Sequence, residues 1–187
     1  MEVVGRAEHK LAGALRAFGM DLRGKTVLDI GSSTGGFTEL ALRLGATKVI
    51  AVEKGTNQMK APLRFDPRVD LHEKTDIFEF VCDAPDVIVA DVSFVSLVEV
   101  LRYVRESIAD EHTEFAVMLK PQFEAKPFQL KKGVVKNSRM RRDIIADFEI
   151  AIKRDGFVIL NKRDNELSGR FGNVERFYHL KMAKRSK

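Results

Sequence analysis

The chain has 187 residues, 44% hydrophobic and 32% charged, with 32 Lys and Arg against 27 Asp and Glu for a net charge of +5. A single domain of this length buries ~70% of its unfolded surface and needs no disulfide or metal staple. One cysteine, Cys82, and four scattered histidines exclude a disulfide framework and a Cys- or His-rich metal site, and no apolar run approaches a ~18-residue membrane span.

In chain order, Leu11, Ala14, Leu15 and Phe18 fall on one face of a helix that Gly19 ends. Residues 26–30 (T-V-L-D-I) read as a buried strand running into a glycine-rich turn. Phe37, Leu40, Ala41 and Leu44 repeat the helical spacing up to Gly45. Strands are expected at 48–52, 69–72 and 87–90, the last ending in Asp91. Leu97, Val100, Leu101, Val104 and Ile108 stripe another helix, and 115–119 is a fifth strand closed by Lys120 and Pro121. Met140, Ile144, Phe148 and Ile152 stripe a further helix ended by Gly156, with closing strands at 157–160 and 177–180. Residues 121–138 are rich in lysine and lack a period, as in a long functional loop. Alternating strands and helices predict an α/β fold with a Rossmann-like, doubly wound, mostly parallel sheet. The expectation is one domain over 1–187, with an N-terminal helical part at 1–24 and a basic tail at 181–187. No apolar segment follows Met1 and Glu2, so no secretory leader is expected and a cytoplasmic protein is. Its small basic excess points to an acidic partner such as RNA.

Ligands of such sheets bind beyond the carboxyl ends of the strands. That rule selects the turn carrying Asp29, Gly31, Ser32, Ser33, Gly35, Gly36 and Phe37, where glycines let the backbone approach a ligand beside a helix N-terminus. Position 33 is Ser where a dinucleotide fingerprint has its middle glycine. Acids stand at the strand ends instead: Asp29, Glu53 (followed by Lys54), Asp76 and Asp91. By Coulomb sign, such a ring suits a cationic ligand over a pyrophosphate. S-adenosylmethionine, with its sulfonium, ammonium and ribose diol, fits, and Glu53 lies 22 residues after Gly31, at an offset suited to ribose hydroxyls. Methyl-acceptor signatures narrow the chemistry. Residues 90–94 (A-D-V-S-F) lack the Pro-Pro-Tyr of amino-group methylation, and Cys82 has no Pro-Cys context and reads as packing. Lys120, between a buried run and a proline at the ligand edge, is left as a candidate base.

Six segments carry a resemblance: 6–11 (R-A-E-H-K-L), 29–38 (D-I-G-S-S-T-G-G-F-T), 90–97 (A-D-V-S-F-V-S-L), 119–124 (L-K-P-Q-F-E), 132–136 (K-G-V-V-K) and 172–177 (G-N-V-E-R-F). With these the chain resembles the FtsJ-like ribose 2′-O-methyltransferases in their TlyA, or hemolysin A, branch. The resemblance implies S-adenosylmethionine as cofactor, RNA (ribosomal RNA or a ribosomal subunit) as partner, and a catalytic tetrad of Lys10, Asp91, Lys120 and Glu175. In it Lys120 takes the proton of the ribose 2′-hydroxyl, and the others orient and tune. At 5–11 this chain reads G-R-A-E-H-K-L where relatives read S-R-G-G-x-K-L, and it stands opposite relatives that carry an S4-like RNA-binding module upstream. The chain is therefore expected to be either a stand-alone catalytic domain, with any such module a separate partner, or a domain trimmed of it. Around the tetrad, Arg6, Lys126, Lys131, Lys132, Lys136, Arg139 and Arg142, with Arg141 between the last two, form the expected RNA-contacting set. The alternatives are a membrane-active hemolysin, a non-catalytic RNA-binding module, and a methyltransferase acting on a different nucleic acid or a small molecule. The first lacks an amphipathic basic helix, and the motif residues stand against the second.

Overall fold

A computed structural model describes residues 5–165 and 172–183. The elements are α1 (Arg6–Phe18), β1 (Thr26–Ile30), α2 (Gly36–Arg43), β2 (Lys48–Glu53), α3 (Ala61–Arg64), β3 (Val69–Glu73), β4 (Val87–Ala90), α4 (Leu97–Ser107) and β5 (Glu114–Leu119). After them come α5 (Pro121–Glu124), β6 (Leu130–Lys131), β7 (Val134–Val135), α6 (Ser138–Arg154), β8 (Phe157–Asp164) and β9 (Arg176–Met182). Seven strands form one sheet in the order β3-β2-β1-β4-β5-β9-β8. The first five run parallel, and β9 lies antiparallel between β5 and β8.

Burial explains the strand sequences. Leu28, Ile30, Ile88, Phe115 and Val117 point into a core shared with α4 and α6, while Val27, Val49, Val89, Ala116 and Met118 face α1 and α2. Both faces are covered, so these strands read as near-continuous apolar runs. Register then places the site. Ile30 pairs with Val52 on one side and Ala90 on the other, so Gly31, Glu53 and Asp91 leave the sheet at one level. Leu119 pairs with Arg176, and one residue further that register sets Lys120 beside Glu175.

The structure departs from expectation in several places. Residues 121–138 are not irregular: they hold α5, a 3-10 turn at Pro127–Gln129 and the β6–β7 hairpin. Lys132 (φ 51°) and Gly133 (φ 78°) turn that hairpin, as a two-residue loop with both central residues at positive φ requires. Helix α1 begins before its apolar stripe because Glu8 is itself buried, paired with Arg43 of α2. Helix α6 starts at Ser138, where the Asn137 side chain accepts a hydrogen bond from the Met140 N–H at 3.0 Å. Lys181 and Met182 belong to β9, so the tail is strand at its start; residues 184–187 lie outside the described residues. Cys82 packs against the core, and burial pushes its thiol up, as an inert packing residue requires.

Candidate active site

At the end of β1 the chain turns sharply under β4. Gly31 sits at φ 78°, and a Cβ there would lie 2.9 Å from the Asp91 carbonyl oxygen. The Gly31 and Ser32 N–H groups both donate to the Val52 carbonyl, at 2.9 and 3.2 Å. Beneath the turn Asp29 is fully buried, its Oδ2 accepting the Thr38 hydroxyl at 2.7 Å. Its Oδ1 and the Ser32 Oγ are buried without a hydrogen-bond partner. Burial pushes the Asp29 carboxyl up to about 7; the Thr38 bond opposes this, and the negative charges of Asp91 and Glu53 add to it.

That shift has a stability consequence. Folding raises the carboxyl's affinity for a proton, so the stability it contributes is complete below the unfolded pKa of ~4 and is lost as pH rises through about 7. Asp29→Asn is expected to flatten the pH dependence of stability across that window, by up to ~1.4 kcal/mol per pH unit. Urea midpoints of both proteins across the window check this; parallel curves would refute it.

A cleft of about 560 Å³ opens beyond the strand ends. Of the expected cofactor residues, Gly31, Ser33, Glu53, Lys54, Asp76 and Asp91 line it, with Ile77, Phe78 and Val92 as apolar walls. Glu53 Oε2 accepts the Ser33 N–H at 2.9 Å and Oε1 the Gly55 N–H at 2.6 Å, which fixes Ser33 at φ 48°. An ionised carboxylate has about four acceptor positions, so Glu53 keeps capacity for a diol. Asp76 accepts the Phe78 N–H at 3.2 Å and pairs with Lys54 at 2.7 Å, and the Lys54 ammonium holds its carboxyl below the usual range.

Asp29, Ser32, Gly35, Gly36 and Phe37 are not walls of this cleft. Phe37 is core, 3% exposed, its ring 6.1 Å from that of Phe177. A Cβ on Gly35 would lie 2.4 Å from Leu63 Cδ1, and one on Gly36 3.2 Å from Ala7 Cβ. Those glycines let α3 and α1 approach, and the second contact leans α1 towards the site.

Helix α1 delivers Lys10, whose ammonium pairs with Glu175 Oε2; both side chains are largely buried. The Asn165 side chain donates to the same oxygen at 3.3 Å. Lys120 Nζ stands 2.6 Å from Asp91 Oδ1 and donates to Ser93 Oγ at 2.7 Å. The four expected tetrad residues thus form two ion pairs, Lys10 with Glu175 and Lys120 with Asp91, on neighbouring strand ends. Each cation has a carboxylate, so no charge is left uncompensated away from water.

Lys126, Lys131, Lys132, Lys136, Arg139 and Arg142 are all exposed on the 3-10 turn, the hairpin and the start of α6. The hairpin is fixed to the segment before Glu175: Asn173 Oδ1 accepts the Val135 N–H at 3.0 Å, and its Nδ2 donates to the Gly133 carbonyl at 3.1 Å. Arg141 differs from its neighbours: it pairs with Asp164 at 2.7 Å and donates to the Val174 carbonyl, so it ties elements together. Arg6 opens α1, and its side chain lies outside what the structure describes. Sequence reasoning missed Ser93, Phe94 and Phe123. Phe94 is 91% exposed at φ 64°, its ring 5.1 Å from that of Phe123. The available signal was their place, just after two strand ends that carry charged residues, Asp91 after β4 and Lys120 after β5.

A mostly parallel seven-stranded sheet with an antiparallel β9, an acidic cleft over its centre and paired lysines beside that cleft define an S-adenosylmethionine-dependent methyltransferase domain. The FtsJ-like methyltransferase family model matches residues 3–182, and the chain belongs to that family. It is 38% identical over 179 residues to the 23S rRNA (cytidine-2′-O)-methyltransferase TlyA of Campylobacter jejuni, covering 94% of this chain and 70% of that protein. It is 37% identical over 183 residues to the 16S/23S rRNA (cytidine-2′-O)-methyltransferase TlyA of Mycobacterium tuberculosis, covering 95% and 68%. A solved hemolysin-type structure from Streptococcus thermophilus superposes with a TM-score of 0.93 at 31% identity, covering 98% of this chain and 68% of that one. Among the described residues no helix is long and apolar enough to cross a membrane.

Proposed function

We propose that this chain methylates the ribose 2′-hydroxyl of a nucleotide in ribosomal RNA, in the cytoplasm where that RNA is. The observation that carries the reading is Lys120, held by Asp91 and Ser93 at the rim of the acidic cleft. Bound S-adenosylmethionine supplies a methyl group on a positively charged sulfonium. The cleft fits it: Glu53, Asp76 and Asp91 outnumber Lys54 in the wall, and Asp29 Oδ1 and Ser32 Oγ behind the turn are unsatisfied acceptors. Gly31 and Ser33 would present the turn to it, Glu53 would accept the ribose hydroxyls, and Asp76 would serve the adenine end.

Lys120 Nζ takes the proton of the RNA 2′-hydroxyl, freeing that oxygen to accept the methyl group a bound cofactor would give up from its sulfur. Asp91 and Ser93 hold the amine in line, and the Lys10–Glu175 pair fixes the hydroxyl's other side. Alignment supplies most of the acceleration, because the leaving group is already good and no covalent intermediate is needed. The exposed basic set around the hairpin holds phosphates. The C. jejuni and M. tuberculosis relatives extend beyond the matched part, and an S4-like module, on a longer chain or a partner, completes RNA capture in this reading.

Labelled cofactor, incubated with each ribosomal subunit and followed by nuclease mapping, tests the reading. The label is expected on a ribose oxygen, with cytidine the first candidate because the relatives' names specify it. Label on a base, or none, would overturn it. Glu53→Ala is expected to weaken cofactor binding by roughly 1–3 kcal/mol, the range for losing a charged hydrogen-bond partner. Calorimetry giving the native affinity would remove Glu53 from the cofactor site.

A further inference from the structure

We propose that Glu124 is a positioning residue, a latch that holds the loop over residues 91–97 against the end of β5 and thereby sets Ser93 and Phe94 beside Lys120. The proposal rests on the reading of Lys120 as the base.

Glu124 closes the short helix α5, and it is half-buried. Its Oε1 accepts the Leu97 N–H at 2.5 Å, and its Oε2 accepts the Ser96 hydroxyl at 2.7 Å. Leu97 opens α4, whose first N–H groups lack partners within the helix and carry the positive end of its dipole. Ser96, at the N-cap, makes no side-chain cap bond of its own. The cap comes instead from a carboxylate 27 residues away in the sequence. A cap borrowed from another segment fastens that segment as well as the helix.

Residues 120–124 grip the loop at three successive heights. Lys120 holds Asp91 and Ser93, the Phe123 ring lies against Phe94, and Glu124 holds Ser96 and Leu97. Between the outer two grips Phe94 is kept at φ 64°. A bulky side chain in that region is strained and persists only where its surroundings over-determine it. With the lower grip gone, Phe94 relaxes towards negative φ and draws Ser93 away from Lys120. Glu124 is not a wall of the cofactor cleft, so it acts through the loop alone.

The test compares Glu124→Ala with Glu124→Gln in the full chain. Glutamine keeps a carbonyl for the Leu97 N–H and an amide that can donate to the Ser96 hydroxyl, whereas alanine removes both bonds. Glu124→Ala is expected to lower kcat on the order of 10²-fold, the cost of a misplacement near 1 Å, with RNA KM within a few-fold of native. Glu124→Gln is expected to restore most of kcat. Amide hydrogen exchange over residues 93–97 should quicken in Glu124→Ala and not in Glu124→Gln, with the melting midpoint little changed. Exchange needs no methyl transfer, so it tests the latch even if the native protein fails to methylate ribose. Unchanged loop exchange in the alanine variant overturns the latch. Quickened exchange with native kcat overturns its part in the reaction. Equal losses in both variants, or a fall in kcat matched by a collapse of the melting midpoint, also overturn it.

Discussion

Replacing Lys120 with alanine is expected to cut ribose methylation by on the order of 10²–10⁴-fold, the usual contribution of a positioned general base. Cofactor affinity should stay near native, because Lys120 is outside the cleft wall that Gly31, Glu53 and Asp76 build. Arginine at 120 is not expected to rescue. A guanidinium could still pair with Asp91, now 2.6 Å from the lysine, and still reach Ser93, but it does not give up its proton at working pH. The arginine variant therefore separates base from positioner. Single-turnover rates of the native, alanine and arginine enzymes on mapped RNA decide the matter. A Lys120→Arg enzyme with substantial activity would leave Lys120 a purely orienting role.

Much of this site follows from local pattern. Strands β1, β2 and β4 are short apolar runs, and each ends in or beside an acid, so the acidic rim was legible without a partner strand. Pairing was not: nothing local in 157–160 or 177–180 says that β9 inserts antiparallel between β5 and β8. That insertion sets Glu175 beside Lys120. The Lys10–Glu175 pair spans most of the chain, so the resemblance, rather than spacing, pointed to it.

Other departures follow from helix phase. Arg141 stands three and four residues before the buried Ile144 and Ile145, on the core-facing stripe of α6, whereas Arg139 and Arg142 lie off it. Phe37 likewise shares a stripe with Leu40 and Ala41, which makes it core despite its place in the glycine motif. The hairpin leaves little mark in the sequence because two-residue strands offer no alternation; only the Lys132-Gly133 turn signals it. Phe94 shows no pattern, since its conformation is imposed by Phe123 and the loop around it.

The same contrast between Arg141 and its neighbours sets the RNA-binding prediction. Lys131, Lys132 and Arg142 are exposed, and no ion pair among the described residues holds them, so their charge is available to phosphates. Arg141 is neutralised by Asp164 and serves the fold. Each phosphate contact contributes ~0.7–0.9 to the slope of log affinity against log salt through counterion release. Changing Lys131, Lys132 and Arg142 together to alanine should lower that slope by roughly 2–3 and weaken RNA binding about tenfold or more at low salt, whatever the base sequence. Cofactor binding should not move, because none of the three lines the cleft. Arg141→Ala should instead lower the melting midpoint, since it releases Asp164 and the Val174 carbonyl. Filter-binding titrations from low to high salt read the slope directly. If the triple variant keeps the parent's affinity and slope, the hairpin and the start of α6 are not the RNA surface. Capture would then fall to another surface, with the basic rim left as solvated charge.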